Sequence, residues 1–183
     1  MRILDRAFRK HVGRYVVQCA LATLAVLAIL LILDVIQHAV IIASLGASSF
    51  IAFTMPHTNA ARPRYLVGGY VCGMVSGVAM HALAQAVGNP TWGEWSVDHE
   101  MVEGVFGAAA VGLAIFLMVI TNTEHPPAGG LALGVVLAQW DALALAVPIV
   151  GIVALSLARL GLKPILINLI EVPQGERKDD DSG

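Results

Sequence analysis

Residues 15–33 read YVVQCALATLAVLAILLIL, nineteen residues without an Asp, Glu, Lys or Arg. A helix crossing a hydrocarbon core of about 30 Å needs about 20 residues, so Tyr15–Leu33 is long enough to span a bilayer once. A basic start followed by an apolar run also describes a signal peptide, but the run is long and no A-x-A-type cleavage site follows it. The stretch is therefore read as a first span. Its surroundings agree. The chain of 183 residues is 57% apolar and 13% charged, about half the charged fraction of an ordinary soluble domain. Fourteen of the 24 Asp, Glu, Lys and Arg residues lie in 1–14 or 161–183. Ten charges cannot solvate the 146 residues between, and a disordered chain would not be this apolar. The class is an all-α membrane protein.

Five further segments follow the first. His38–Met55 is short and carries Gly46-Ala47-Ser48-Ser49. Tyr65–Val87 contains Gly68, Gly69, Gly73, Ser76 and Gly77, small residues that permit close helix contact. Asn89-Pro90 marks a turn, and Trp92 and Trp95 suit an interface. Met101–Ile120 is the fourth segment. The block from Pro126 to Ala158 is about 50 Å long as one helix, too long for a single crossing. Trp140-Asp141 divides it into Ala128–Gln139, which reaches only partway, and Ala142–Leu160. Helices that reach partway are common at transport sites.

Charge sidedness selects six segments over five. With both termini in the cytoplasm, all eleven Lys and Arg fall on that side, including Arg62, Arg64, Arg159 and Lys163. The opposite loop, 88–103, holds Glu94, Asp98, Glu100 and Glu103 and no basic residue. The expected organisation is a basic, amphipathic amino terminus over 1–14, a transmembrane domain over 15–165, and a polar cytoplasmic tail over 166–183. The expected location is a bacterial cytoplasmic membrane, with the lipid bilayer as the first partner.

Several function classes drop out. A net charge of −2 gives no bias toward nucleic acid. No CxxC, HExxH, GxGxxG or P-loop pattern occurs, so neither a metal, a cofactor nor an enzyme is expected. Cys19 and Cys72 lie in separate apolar segments and are read as small packing residues. His81 is either a functional group at depth or a hydrogen-bonded structural histidine. Asp34 and His38 line a vestibule or cap a hairpin, and Asp141 suits an interfacial turn.

A weak internal repeat appears at an offset of 63 residues. Thr58-Asn59-x-x-Arg62-Pro63 aligns with Thr121-Asn122-x-x-His125-Pro126, and Ala47, Phe53 and Met55 align with Ala110, Phe116 and Met118. Two crossings separate the copies, which would make the repeat parallel, with both corners at the cytoplasmic ends of spans. Such a corner offers specific chemistry. Pro126 and Pro127 suit the first turn of a helix, whose unpaired N–H groups and dipole favour an anion. Gly129 and Gly130 would admit a ligand close to the backbone. Thr121, Asn122 and Asn59 supply neutral hydrogen-bonding groups, Arg62 and Arg64 supply positive charge, and His125 can change charge near neutral pH. The plainer readings are membrane anchors for the two arginines, a helix cap for His125, and a loop-fixing ion pair for Glu124.

The segment Thr121-Asn122-Thr123-Glu124-His125-Pro126-Pro127-Ala128-Gly129-Gly130 resembles the HPP family, integral membrane proteins named for that tripeptide. Gly46-Ala47-Ser48, the run Ala61-Arg62-Pro63-Arg64-Tyr65-Leu66-Val67-Gly68-Gly69, and Pro148 are similar to the family's pattern as well. The likeness covers about residues 15–165. It implies four spanning helices, and relatives from plastids and cyanobacteria imply nitrite transport. The expected function is thus passage of a small inorganic anion, nitrite first, held at the start of the helix after Pro126-Pro127. The competing reading is a membrane scaffold or sensor module acting through protein partners. Six short segments also suit a homo-oligomer.

Overall fold

The computed structural model describes residues 6–33, 39–88, 99–138 and 142–170, with side chains over 12–29, 43–87, 101–138 and 145–170. Expectations resting on Asp34, His38, the loop containing Trp92, Trp95, Glu94 and Asp98, the side chain of Glu100, Gln139, Trp140-Asp141 and the tail from Glu171 lie outside the described residues.

Among the described residues, six α-helices form where six apolar segments were expected. They are α1 (Arg6–Leu33), α2 (Ala39–Thr54), α3 (Pro63–Gly88), α4 (His99–Thr121), α5 (Pro127–Leu137) and α6 (Ala142–Leu162), with a 3-10 turn at Asn59–Ala61 before α3. No strand occurs among the described residues. Among the described residues, four helices are long and apolar enough to cross a membrane, over Val12–Ile29, Pro63–Val87, Met101–Thr121 and Leu145–Leu162. The other two, α2 and α5, are shorter. The family's four spans and the six segments are thus compatible.

Two expected boundaries move. The helix from Arg6 runs through residue 14 into the span, because 6–33 contains no proline and only one glycine, Gly13. The amino-terminal region is therefore not a separate element over its described part. At the other end, residues 166–170 are not a free tail. Leu166 and Leu169 are buried, and Leu169 N–H donates to the Thr54 carbonyl at 2.8 Å. Gln18 Nε2 donates to the Ile167 carbonyl at 2.7 Å and also to that of Phe53. Ile167 N–H returns a bond to Gln18 Oε1 at 3.2 Å, and Tyr15 OH donates to the Leu169 carbonyl at 2.7 Å. An extended segment leaves its backbone groups unpaired unless partners come from elsewhere, and here α1 and α2 provide them.

The shortest helix sits in the core. Ala128, Gly129, Leu131, Ala132, Gly134, Val135 and Val136 of α5 are buried, against α2, α3 and α4. At 1.5 Å per residue it is about 16 Å long, half a bilayer. What admits it so closely is a stripe on α3. Gly69, Gly73 and Gly77 recur every fourth residue, on one helix face. A Cβ at Gly69 would collide with that of His125, one at Gly73 with the Ala128 carbonyl, and one at Gly77 would come within 2.7 Å of the Val135 Cβ. Four residues further on, His81 Nδ1 lies 3.2 Å from the Val136 carbonyl. His81 therefore has a structural bond to the end of α5.

Candidate functional site around His125

The corner between α4 and α5 is built by helix termination. Asn122 has a φ of 51°, in the left-handed region. Thr123 N–H reaches the Met118 carbonyl at 2.9 Å and Asn122 N–H that of Val119 at 3.2 Å, the pair of bonds that closes a Schellman motif. Asparagine tolerates this conformation better than most residues, and Tyr65 OH donates to its Oδ1 at 3.3 Å. Thr123 is buried against α3, where a Cβ on Gly68 would approach its Cγ2 to 2.6 Å. Its Oγ1 lies 2.7 Å from that of Thr121 and 3.7 Å from Cys72 Sγ. Cys72 thus packs at the corner as expected, whereas Cys19 is exposed on α1.

The same turn carries His125 inward until its side chain is 1% exposed. Nε2 lies 2.8 Å from Ser48 Oγ. Ser48 Oγ is 2.9 Å from Tyr70 OH, and Tyr70 OH donates to Ser44 Oγ at 3.2 Å. Four polar side chains from α2, α3 and the corner thereby form one connected, buried cluster. The Tyr70 ring centre lies 5.7 Å from that of His125. The other ring nitrogen, Nδ1, is buried with no hydrogen-bond partner. Burial pushes the imidazole pKa down to about 4, so His125 is neutral near pH 7 and acts as a hydrogen-bonding group there rather than as a charge.

A cavity of about 530 Å³ reaches His125 from the α4 side, lined also by Glu124, Pro126, Gly129 and Gly130 and by apolar residues such as Met118 and Leu133. Gly129 and Gly130 are thus at the cavity, as a ligand approaching the backbone would need. The first turn of α5 departs from expectation. Pro126 and Pro127 have no N–H, Ala128 N–H is bonded to the His125 carbonyl at 2.9 Å, and Gly129 N–H to that of Pro126 at 3.0 Å. The helix start therefore offers no free N–H from these four residues, and the unpaired donor or acceptor at this place is the imidazole.

The remaining expected site residues form a rim around the corner. Arg64 is exposed and donates to the Thr121 carbonyl at 3.1 Å, not to Glu124. Arg62 is exposed, and Asn59 opens the 3-10 turn, with its carbonyl accepting from Arg62 N–H at 2.8 Å. Thr121 Oγ1 bonds back to the Leu117 carbonyl at 2.7 Å. The two aligned motifs differ locally. The first enters a 3-10 turn after an extended Thr58, and the second passes through a left-handed Asn122. The two residues that follow the first motif nevertheless touch the second, through Arg64–Thr121 and Tyr65–Asn122.

Sequence reasoning missed Ser44, Tyr70, Ser156 and Arg159, and gave Ser48 no role. Each is a polar residue inside an apolar helix, which was the available signal. Arg159 entered only as one of the basic residues on the cytoplasmic side. However, Pro148, Ile152, Leu155, Ser156 and Arg159 are all buried, at the i+3 and i+4 spacing of one inward face. Among the described residues no group of three His, Cys, Asp or Glu could hold a metal ion.

Comparison with known proteins bears on this geometry. Residues 8–172 match the family described as the HPP transmembrane region. A Dictyostelium discoideum protein, described as a transmembrane protein, is 36% identical over 98 residues. That match spans 53% of this chain and 30% of the relative's length. No solved structure matches.

Proposed function

Because this chain belongs to the HPP family of membrane proteins, we propose that it passes a small inorganic anion across the bilayer, nitrite being the first candidate. The choice of nitrite rests on the family resemblance. The passage reading rests on the site, and one observation carries it: His125 is buried beside a short central helix, with one ring nitrogen paired and the other unpaired, at the edge of a cavity. A buried polar atom without a partner is costly, and such atoms are enriched where a ligand or water completes them. A helix of about half a bilayer's length that opens after irregular backbone is a common feature of solute sites.

In this reading Arg62 and Arg64 raise the local concentration of anions at the rim. Asn59, Asn122 and Thr121 offer neutral contacts there, and His125 holds the anion through Nδ1–H, in the tautomer whose Nε2 accepts from the Ser48 hydroxyl. Gly129 and Gly130 keep the path free of side chains behind Pro126-Pro127. The basic end of the bundle lies in the cytoplasm, as the positive-inside bias expects.

Flux into liposomes containing the purified protein tests the proposal. Nitrite uptake should exceed that of protein-free vesicles, and His125→Phe should lower it at least tenfold while the protein remains monodisperse. Absence of flux for nitrite, nitrate, formate and chloride would overturn it.

A further inference from the structure

Arg159 is 2% exposed, and its Nη2 donates to the Pro56 carbonyl while its Nε has no hydrogen-bond partner. One turn away on the same face of α6, Ser156 is 3% exposed and its Oγ is also unpartnered. No carboxylate among the described residues forms an ion pair with this guanidinium. The charge that acts on it is a second cation, Arg62. A buried guanidinium normally sits against a carboxylate or another anion, and here a neutral carbonyl stands where an anion is expected. The last-turn position on α6 is favourable for a cation, but it leaves Nε and Ser156 Oγ unsatisfied.

We propose that Arg159 and Ser156 form a binding site for a small monovalent anion, held by guanidinium N–H groups and the serine hydroxyl, with the Pro56 carbonyl as the acceptor it displaces. Arginine suits this task because its planar fork can bind two oxygens at once. The burial of both residues favours a free anion over a lipid phosphate, whose acyl chains would need an open flank. Ser48 lies six residues above Thr54, the last residue of α2, and Pro56 lies two beyond it. Ser48 to Thr54 is a rise of about 9 Å, so the Pro56 carbonyl that Arg159 holds lies beyond the end of α2, toward the basic end from Ser48. If the chain passes anions, as proposed above, this is the station an anion occupies before His125; the binding site itself does not require passage.

Thermal unfolding of the purified protein in nanodiscs, with nitrite, nitrate or chloride titrated against gluconate at constant ionic strength, tests the site. The expected result is saturable stabilisation of the wild type. Ser156→Ala should weaken the apparent affinity several-fold, Arg159→Lys should weaken it without abolishing it, and Arg159→Gln should abolish it. Should Arg159→Gln fail to fold, Ser156→Ala and Arg159→Lys carry the test. No anion-specific stabilisation of the wild type, or equal stabilisation of all variants, overturns the site, and it does so even where flux is observed. Stabilisation that follows phosphatidylglycerol content instead of free anion also overturns it. Anion binding lost in Arg159→Gln but without any flux would retain this site and remove the transport reading.

Discussion

Ser48 and His125 stand 77 residues apart in the chain, yet the serine Oγ lies 2.8 Å from the imidazole Nε2. This contact ties α2 to the corner before α5 inside a buried cluster. Removing one member of a buried pair costs about 1–3 kcal/mol, since the other is left unsatisfied. Ser48→Ala should therefore lower thermal stability in detergent and reduce anion flux. Tyr70→Phe keeps the ring beside His125 but removes the hydroxyl from Ser48 and Ser44, so its loss should be smaller. Parallel melting and flux measurements on the two variants check the order.

The glycines of α3 and α4 separate two physical roles. Gly73 faces the Ala128 carbonyl, which is backbone and cannot rotate away, whereas a Cβ at Gly112 meets nothing within 4 Å. Gly73→Ala should destabilise by about 1–3 kcal/mol through overpacking. Gly112→Ala should leave stability unchanged or raise it by up to about 1 kcal/mol, through helix propensity. Melting temperatures that fall equally for both would show that α5 is not seated on α3 as described.

The helices were legible because hydrocarbon thickness imposes a length on apolar runs: four of the described helices answer to it, and α2 and α5 stood out as apolar runs that fall short of it. The Pro-Pro opening of α5 and the close approach allowed by Gly69, Gly73 and Gly77 were legible for the same local reasons. Direction was not. Residue type and spacing give charge but not which way a side chain turns, so Arg159 resembled Lys163, one turn on, although the first is buried and the second exposed. The inward pattern of Pro148, Ile152 and Leu155 is what distinguishes them. Ser48 and Tyr70 were illegible for another reason. Their importance comes from meeting His125 across distant parts of the chain, which no local pattern encodes.

Gln18 is a polar residue within the first span, and its amide joins three backbone positions at Phe53 and Ile167. Gln18→Ala should release residues 166–170 from the bundle while leaving the helices intact. Amide exchange at Ile167 and Leu169 should accelerate well beyond that in α3 and α4. Unchanged exchange there would mean that burial of Leu166 and Leu169 holds the segment without the amide.

His125 also makes stability depend on pH in a defined window. Its folded pKa of about 4 lies below the ordinary 6.5, so between those values the unfolded chain binds a proton that the folded protein excludes. Stability rises with pH wherever the unfolded state binds more protons. This contribution is thus fully present above pH 6.5 and is lost as the pH falls toward 4. Carboxylates titrate in part of the same range, so the informative quantity is a difference between proteins. His125→Gln keeps a hydrogen-bonding group near Ser48 but cannot take up the proton, so its melting temperature should fall less steeply than the wild type's between pH 6.5 and 4. Parallel slopes would mean that His125 opens to water before unfolding and is not held in the buried cluster.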